Sequence, residues 1–196
     1  MTAPDSDQPD DAATLLTREE RADLIPAYIT LKQELNEAEQ IGIADADRWA
    51  FQRRRDVLSE SLLLDLHRRM FGAVWRWAGK FRQSPRNIGV DYWTISIELR
   101  QLLDDVRAWI ADNVYPPDEI AIRFHHRLVL IHPFPNGNGR HARLAADLLV
   151  TLLGNERFTW GRSNLASAGE ARKQYVAALR LADQHDIGPL LAFARS

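Results

Sequence analysis

The 196-residue chain contains no cysteine. That excludes a disulfide framework, a thiolate metal site and a cysteine nucleophile, and it suits a reducing compartment. Neither sign of charge dominates: 25 Lys and Arg stand against 27 Asp and Glu, a formal net charge of −2. No overall basic field would hold DNA, RNA or an anionic membrane, so neither nucleic acid nor membrane is an expected partner. Long apolar runs are also missing, none approaching the roughly 18 residues that mark a membrane helix. The first residues lack the basic and apolar regions of a signal peptide. Together these absences point to a cytoplasmic protein.

What is present fits one globular domain, with 45% hydrophobic and 27% charged residues. Residues 1–16 read as a disordered acidic leader, because Asp5, Asp7, Asp10 and Asp11 beside two prolines offer little to bury. A single domain is expected over 17–196. A helix is expected after Thr17 with an interruption at Pro26, then a second helix through Glu39 that stops near Gly42, and a third over Asp45–Asp56. Leu63, Leu66, Met70 and Val74 mark a helix running from Ser59 towards Trp75 and Trp77. Gly79, Pro85 and Gly89 then break the pattern, and Ala78–Trp93 reads as a β-hairpin or flap. Leu99, Leu102, Leu103 and Val106 place a further helix, and Ala121, Phe124, Leu128 and Ile131 another. The chain resumes helix from Asn138 to about Leu153 and closes with two helices near 168–183 and 187–195. No internal repeat is visible. The expected class is all-α, a helical bundle with one short β excursion.

The stretch "LVLIHPFPNGNGRHARLAADLLV", Leu128–Val150, interrupts two apolar helical segments with a histidine, two prolines, an Asn-Gly-Asn-Gly run and two arginines. Adjacent Gly and Asn residues permit positive φ, so backbone N–H groups can turn inward as a nest, and the following helix adds its own open amides and dipole. Arg140 and Arg143 lie in the first turns of that helix, and helical side chains lean towards the N-terminus, so both can converge on one anion. Such a donor set suits a di- or triphosphate. His132, set at the rim by Pro133, can take a proton from an attacking hydroxyl. A histidine at a helix end is usually a cap and Asn-Gly clusters are usually turns; it is their combination with two arginines that points to chemistry. No Lys-Ser/Thr follows the glycines as in a Walker loop, and the histidines do not make a His-Glu-x-x-His site. Tyr175 and Trp160 are the aromatic candidates for a purine pocket, core packing being the commoner role. The run Arg53–Arg55 reads as a solvated face.

"HPFPNGNGRHAR", His132–Arg143, resembles the Fic family signature His-Pro-Phe-x-Asp/Glu-Gly-Asn-Gly-Arg-x-x-Arg, with upstream likeness in "LHRRMFGAVWRWAGKFR" and "NIGV" and downstream likeness in "YVAALRLADQHDIGPLLAF". The resemblance covers the chain from about Asn36 onwards and is strongest to the small Fic proteins called mobile mystery protein B. It implies a Fic-fold helical bundle and an adenylyltransferase that moves AMP from ATP to a Ser, Thr or Tyr hydroxyl of a target protein. By the same resemblance His132 is the general base, and Gly137, Asn138 and Gly139 supply an anion hole. Arg140 and Arg143 bind the β- and γ-phosphates, Phe134 anchors the loop, and the flap at Asn87, Ile88, Gly89 and Val90 holds the target segment by strand pairing.

Asn136 departs from the signature, which has a carboxylate there to help hold Mg2+ or Mn2+. Asn offers a carbonyl oxygen without the charge. Weaker metal affinity, a metal held by phosphates and water, or lost activity can each follow, the last leaving a nucleotide-binding regulator or toxin–antitoxin component. The retained Gly-Asn-Gly-Arg disfavours the kinase chemistry of the Doc branch. Many relatives carry an inhibitory helix whose Glu pairs with the second motif arginine. "TLKQELNEAEQ" lies where such a helix would be, with Glu34, Glu37 and Glu39 as candidates, none fitting the full pattern. A separate antitoxin is the alternative source of inhibition.

Overall fold

The computed structural model describes residues 22–161 and 168–196. Its elements run α1 (Lys32–Phe51), α2 (Glu60–Phe71), α3 (Ile95–Ala111), α4 (Pro117–Ile131), α5 (Asn138–Leu152), α6 (Ala168–Asp183) and α7 (Gly188–Arg195). Helix α4 packs against α3, α5 and α7, α1 lies along α2, and both α1 and α2 reach α5. The core gathers apolar stripes of the kind expected, with Leu66, Phe71, Leu102, Val106, Phe124 and Leu149 fully buried. Each such side chain contributes roughly 1.5–3 kcal/mol of transfer free energy. No helix among the described residues is long and apolar enough to cross a membrane. The leader, and the first half of the helix expected between Thr17 and Pro26, lie outside the described residues.

Local chemistry explains the boundaries. The Glu34 carboxylate accepts from the Thr30 and Leu31 amides at 2.8 and 3.1 Å and closes the first turn of α1. Ser59 Oγ accepts from the Leu62 amide at 3.3 Å and starts α2, and Pro117 opens α4 where an amide proton would have no partner.

Two expectations are corrected. Gly42 does not stop a helix: α1 runs through it, joining the second and third expected helices into one of 20 residues. A Cβ at Gly42 would stand 2.5 Å from the Met70 carbonyl oxygen, so glycine is what allows α1 to cross the end of α2. The β-hairpin is also absent. Among the described residues the one β-bridge joins Leu24 and Trp75, and residues 81–91 form bends without a ladder. Pro85 lacks an amide proton and Gly89 sits at φ +102°. The Arg82 guanidinium, in turn, captures the Ser84 and Val90 carbonyls that a partner strand would need.

Candidate active site at the break between α4 and α5

Helix α4 ends because Pro133 disfavours the helical conformation in the residue before it. His132 takes the left-handed conformation instead, φ 53° and ψ 58°, costing about 1–2 kcal/mol. Downstream, Phe134 is buried and Asn138 clamps it: the Phe134 amide donates to Asn138 Oδ1 and Asn138 Nδ2 donates to the Phe134 carbonyl, each at 2.9 Å. Gly137 caps α5 at φ 79°, and a Cβ there would strike the Phe71 ring at 2.6 Å. Its own amide donates to Asn136 Oδ1 at 2.7 Å. The open donors of the nest are therefore the amides of Asn138, Gly139 and Arg140, which have no acceptor among the described residues. Gly137, expected in that set, is thus already paired, and the Asn138 side chain holds the loop besides.

Two residues that the sequence did not single out position this loop. His67 is fully buried on α2 and lies parallel to the Phe134 ring, with centroids 3.6 Å apart. Its Nδ1 accepts from the Gly79 amide at 3.0 Å, which fixes the proton on Nε2, and Nε2 donates to the Asn136 carbonyl at 3.1 Å. Burial, then the neighbouring His141, hold its pKa well below the ordinary histidine value, so it stays neutral. Arg82 is 1% exposed. Its Nε donates to the His132 carbonyl at 2.7 Å, Nη1 to the Ser84 carbonyl at 3.2 Å, and Nη2 to the Val90 carbonyl with Ile131 at 3.5 Å. One guanidinium thus ties both limbs of the flap to the residue held in the strained conformation. Gly89 permits the approach, since a Cβ there would stand 2.6 Å from His132 Cβ. Asn87, Ile88 and Gly89 are exposed and Val90 is half-buried, its amide 3.4 Å from the Ile131 carbonyl.

His132 is itself half-buried, with Nδ1 buried and unpaired among the described residues. Burial lowers its pKa, the nearby Val129 carbonyl opposes this, and the charges of Arg82 and Arg86 add to the lowering. A neutral imidazole is the outcome. Arg140 Nη1 meets Glu39 Oε2 at 2.7 Å, while Glu39 Oε1 accepts from Trp75 Nε1 at 2.6 Å. Of the three glutamates, only Glu39 is buried and reaches the motif; Glu34 caps α1 and Glu37 accepts from Gln33 on the exposed face. Its partner is the first motif arginine, whereas the resemblance implied the second. Arg143 lies over the Tyr175 ring at 5.2 Å. Tyr175 is 8% exposed and its hydroxyl pairs with buried His125 Nε2 at 3.1 Å, so it stands behind Gly139 and Arg143. Trp160 packs on the same His125 ring and donates to Asp147 at 2.9 Å.

The resident donors for a metal ion are few. Among the described residues no group of His, Cys, Asp or Glu is arranged to hold one. Asn136 Oδ1, neutral and already accepting the Gly137 amide, is the single side-chain oxygen where the signature has a carboxylate. The residues do not make a metal site by themselves.

Residues 57–150 match the model of the Fic/DOC family. The chain is 31% identical over 146 residues to Protein adenylyltransferase fic-1 of Caenorhabditis elegans, covering 72% of this chain and 27% of that protein. It therefore spans about a quarter of the length of that curated relative. A Fic-1 structure from C. elegans superposes with a TM-score of 0.62 at 28% identity, over 80% of this chain and 46% of that one. An ADP-bound N-terminal Fic domain from Bartonella quintana shares the fold, with a TM-score of 0.67 at 18% identity over 86% of each chain. With the motif loop, its clamp and its arginines all in the matched segment, the chain belongs to the Fic/DOC family.

Proposed function

We propose that the protein is an adenylyltransferase that moves AMP from ATP to a Ser, Thr or Tyr hydroxyl of a target protein and releases pyrophosphate. One observation carries the reading: open amides at the N-terminus of α5, Arg140 and a neutral, half-buried His132 meet on a single loop. The amides and the helix dipole receive the phosphates, and Arg140 and Arg143 neutralise the leaving pyrophosphate. His132 takes the hydroxyl proton as the oxygen bonds to the α-phosphorus and the bond from that phosphorus to the bridging oxygen breaks. The exposed backbone of Asn87–Gly89 is the edge offered to an extended target segment. Mg2+ or Mn2+, if it accompanies ATP, would offset phosphate charge, and Asn136 would offer it one neutral oxygen at most. Relatives named protein adenylyltransferase support the chemistry, and the ADP in the Bartonella structure supports a nucleotide ligand for the fold.

Glu39 competes with phosphate for Arg140, so we read it as a restraint on nucleotide entry. Glu39→Gln then raises labelling of the protein or its target, and an unchanged rate contradicts the restraint. The transfer itself is tested with ATP labelled at the α- or the γ-phosphate, for the natural sequence and Asn136→Asp. Label from the α position alone supports AMP transfer, and label from the γ position alone refutes it in favour of phosphoryl transfer. The neutral Asn136 favours a second reading, a nucleotide-binding regulator without transfer, which bound ATP and no label in either protein would select.

A further inference from the structure

A second concave site, independent of that reading, opens between the end of α1 and the start of α2. It is an open cleft of about 900 Å3, and its lining sets five arginines, Arg53, Arg54, Arg55, Arg68 and Arg69, against two aspartates, Asp56 and Asp65. Several arginines elsewhere have a carboxylate of their own, as in Arg48 with Asp45, Arg107 with Asp104 and Arg123 with Glu119. In the cleft one carboxylate, Asp65, serves both Arg68 and Arg69, while Asp56 Oδ1 accepts the Leu58 amide at 3.1 Å. Among the described residues Arg53 and Arg54, both exposed, have no ion-pair partner. Arg55 lies over the Trp49 ring at 3.5 Å and donates to the Trp49 carbonyl at 2.8 Å, yet its Nε is buried without an acceptor. Burial, then the charges of Arg53 and Arg69, lower the pKa of Arg55, against the opposing charge of Asp65.

Like charges held within one Debye length repel, and an anion relieves them. The cleft is far larger than the roughly 30 Å3 a water occupies in the liquid, so a single small ion would not fill it. Trp49 carries the guanidinium groups of Arg55 and Arg69, at 3.5 and 4.0 Å, which disfavours stacking by a nucleobase. The chain's net charge of −2 also opposes a nucleic acid. Guanidinium forks match carboxylates in paired hydrogen bonds. We propose that this cleft binds a carboxylate-rich peptide segment of a partner protein, through the arginines that follow α1 and those on α2.

The test uses the full chain, a labelled alternating Glu-Gly peptide and fluorescence anisotropy at low salt. Binding is expected, weakened about tenfold or more in Arg53→Ser/Arg54→Ser, as for loss of charge-assisted hydrogen bonds. Arg100→Ser/Arg172→Ser removes the same charge at exposed positions on α3 and α6 and should leave affinity within about twofold. In the natural sequence the peptide should also protect Arg53 and Arg54 from phenylglyoxal, a readout that needs no variant to fold. Absence of binding, equal weakening by both double variants, or no protection overturns the proposal. Tighter binding of a labelled duplex DNA, lost on changing Arg53 and Arg54, overturns it as well and assigns the cleft to nucleic acid.

Discussion

Replacing Arg82 by methionine keeps an unbranched apolar stem and removes every donor. The His132 carbonyl loses its 2.7 Å bond, the Ser84 carbonyl its 3.2 Å bond, and the Val90 carbonyl its partner. A buried acceptor left unsatisfied costs about 1–3 kcal/mol. All three acceptors are partly buried, and with partial access of water the summed penalty is about 3 kcal/mol. For a domain of this size that is a fall in melting temperature of about 6–12 °C. The positional effect is separate: without the anchor, His132 has less reason to keep its left-handed conformation, and a displacement of about 1 Å at a reacting group can lower a rate about 100-fold. The amides of α5 and Arg140 are untouched, so ATP affinity should change by less than about threefold. Arg82→Lys, which restores the charge and gathers its donors on one nitrogen, should recover part of both losses. Thermal melts, ATP titration and initial transfer rates measure the three quantities. A melting temperature within about 1 °C of the natural sequence, or ATP affinity lost in parallel with rate, refutes the assignment of Arg82 as the anchor of His132.

Gly137→Ala should destabilise the fold by about 1–3 kcal/mol and weaken ATP binding, because a Cβ at φ 79° meets the Phe71 ring at 2.6 Å and displaces the start of α5; a melt and an ATP titration check it. Burial lowers His141 from 6.5 to about 4, so between those values the unfolded chain binds more protons than the folded one and stability rises with pH. His67 and His125 shift in the same direction. The His141 contribution, about 3 kcal/mol, is complete above pH 6.5 and lost as pH falls towards 4. Urea midpoints across that range should show His141→Gln with a shallower acid dependence, and an unchanged slope contradicts the assignment. The acid limb of the transfer rate should lie below pH 6.5 and move upward in Arg82→Met, since burial and then the Arg82 and Arg86 charges lower the His132 pKa against the Val129 carbonyl; a limb above 6.5 in the natural sequence contradicts a neutral base.

The motif loop was legible because its chemistry is written in consecutive residues, and α3 to α7 because apolar residues recur at helical spacing next to capping or proline signals. Gly42 was misread because its meaning is tertiary. Locally, glycine weakens a helix by about 1 kcal/mol, which reads as a stop, whereas its value here is the close approach to Met70. The flap misled for a related reason: Val, Ile and aromatic residues suit extended chain, but the Arg82 side chain takes the carbonyls a second strand would use. Arg82 carries no local signal, its acceptors being backbone atoms that include Ile131 and His132, far along the chain. His67 did carry one: it falls on the face of Leu63 and Met70, and a histidine on an apolar stripe must find buried partners, here Gly79 and Asn136. Glu39 was visible as one of three carboxylates, and only the crossing of α1 with α5 selects it.

The central claim is that one loop divides its labour, with the amides and arginines binding phosphate and His132 moving the proton. The most direct measurement is ATP affinity and AMP transfer in the same preparation of His132→Ala. The account predicts ATP affinity within about threefold of the natural sequence and a transfer rate lower by about 10²–10⁴-fold. Transfer that survives the substitution would contradict it.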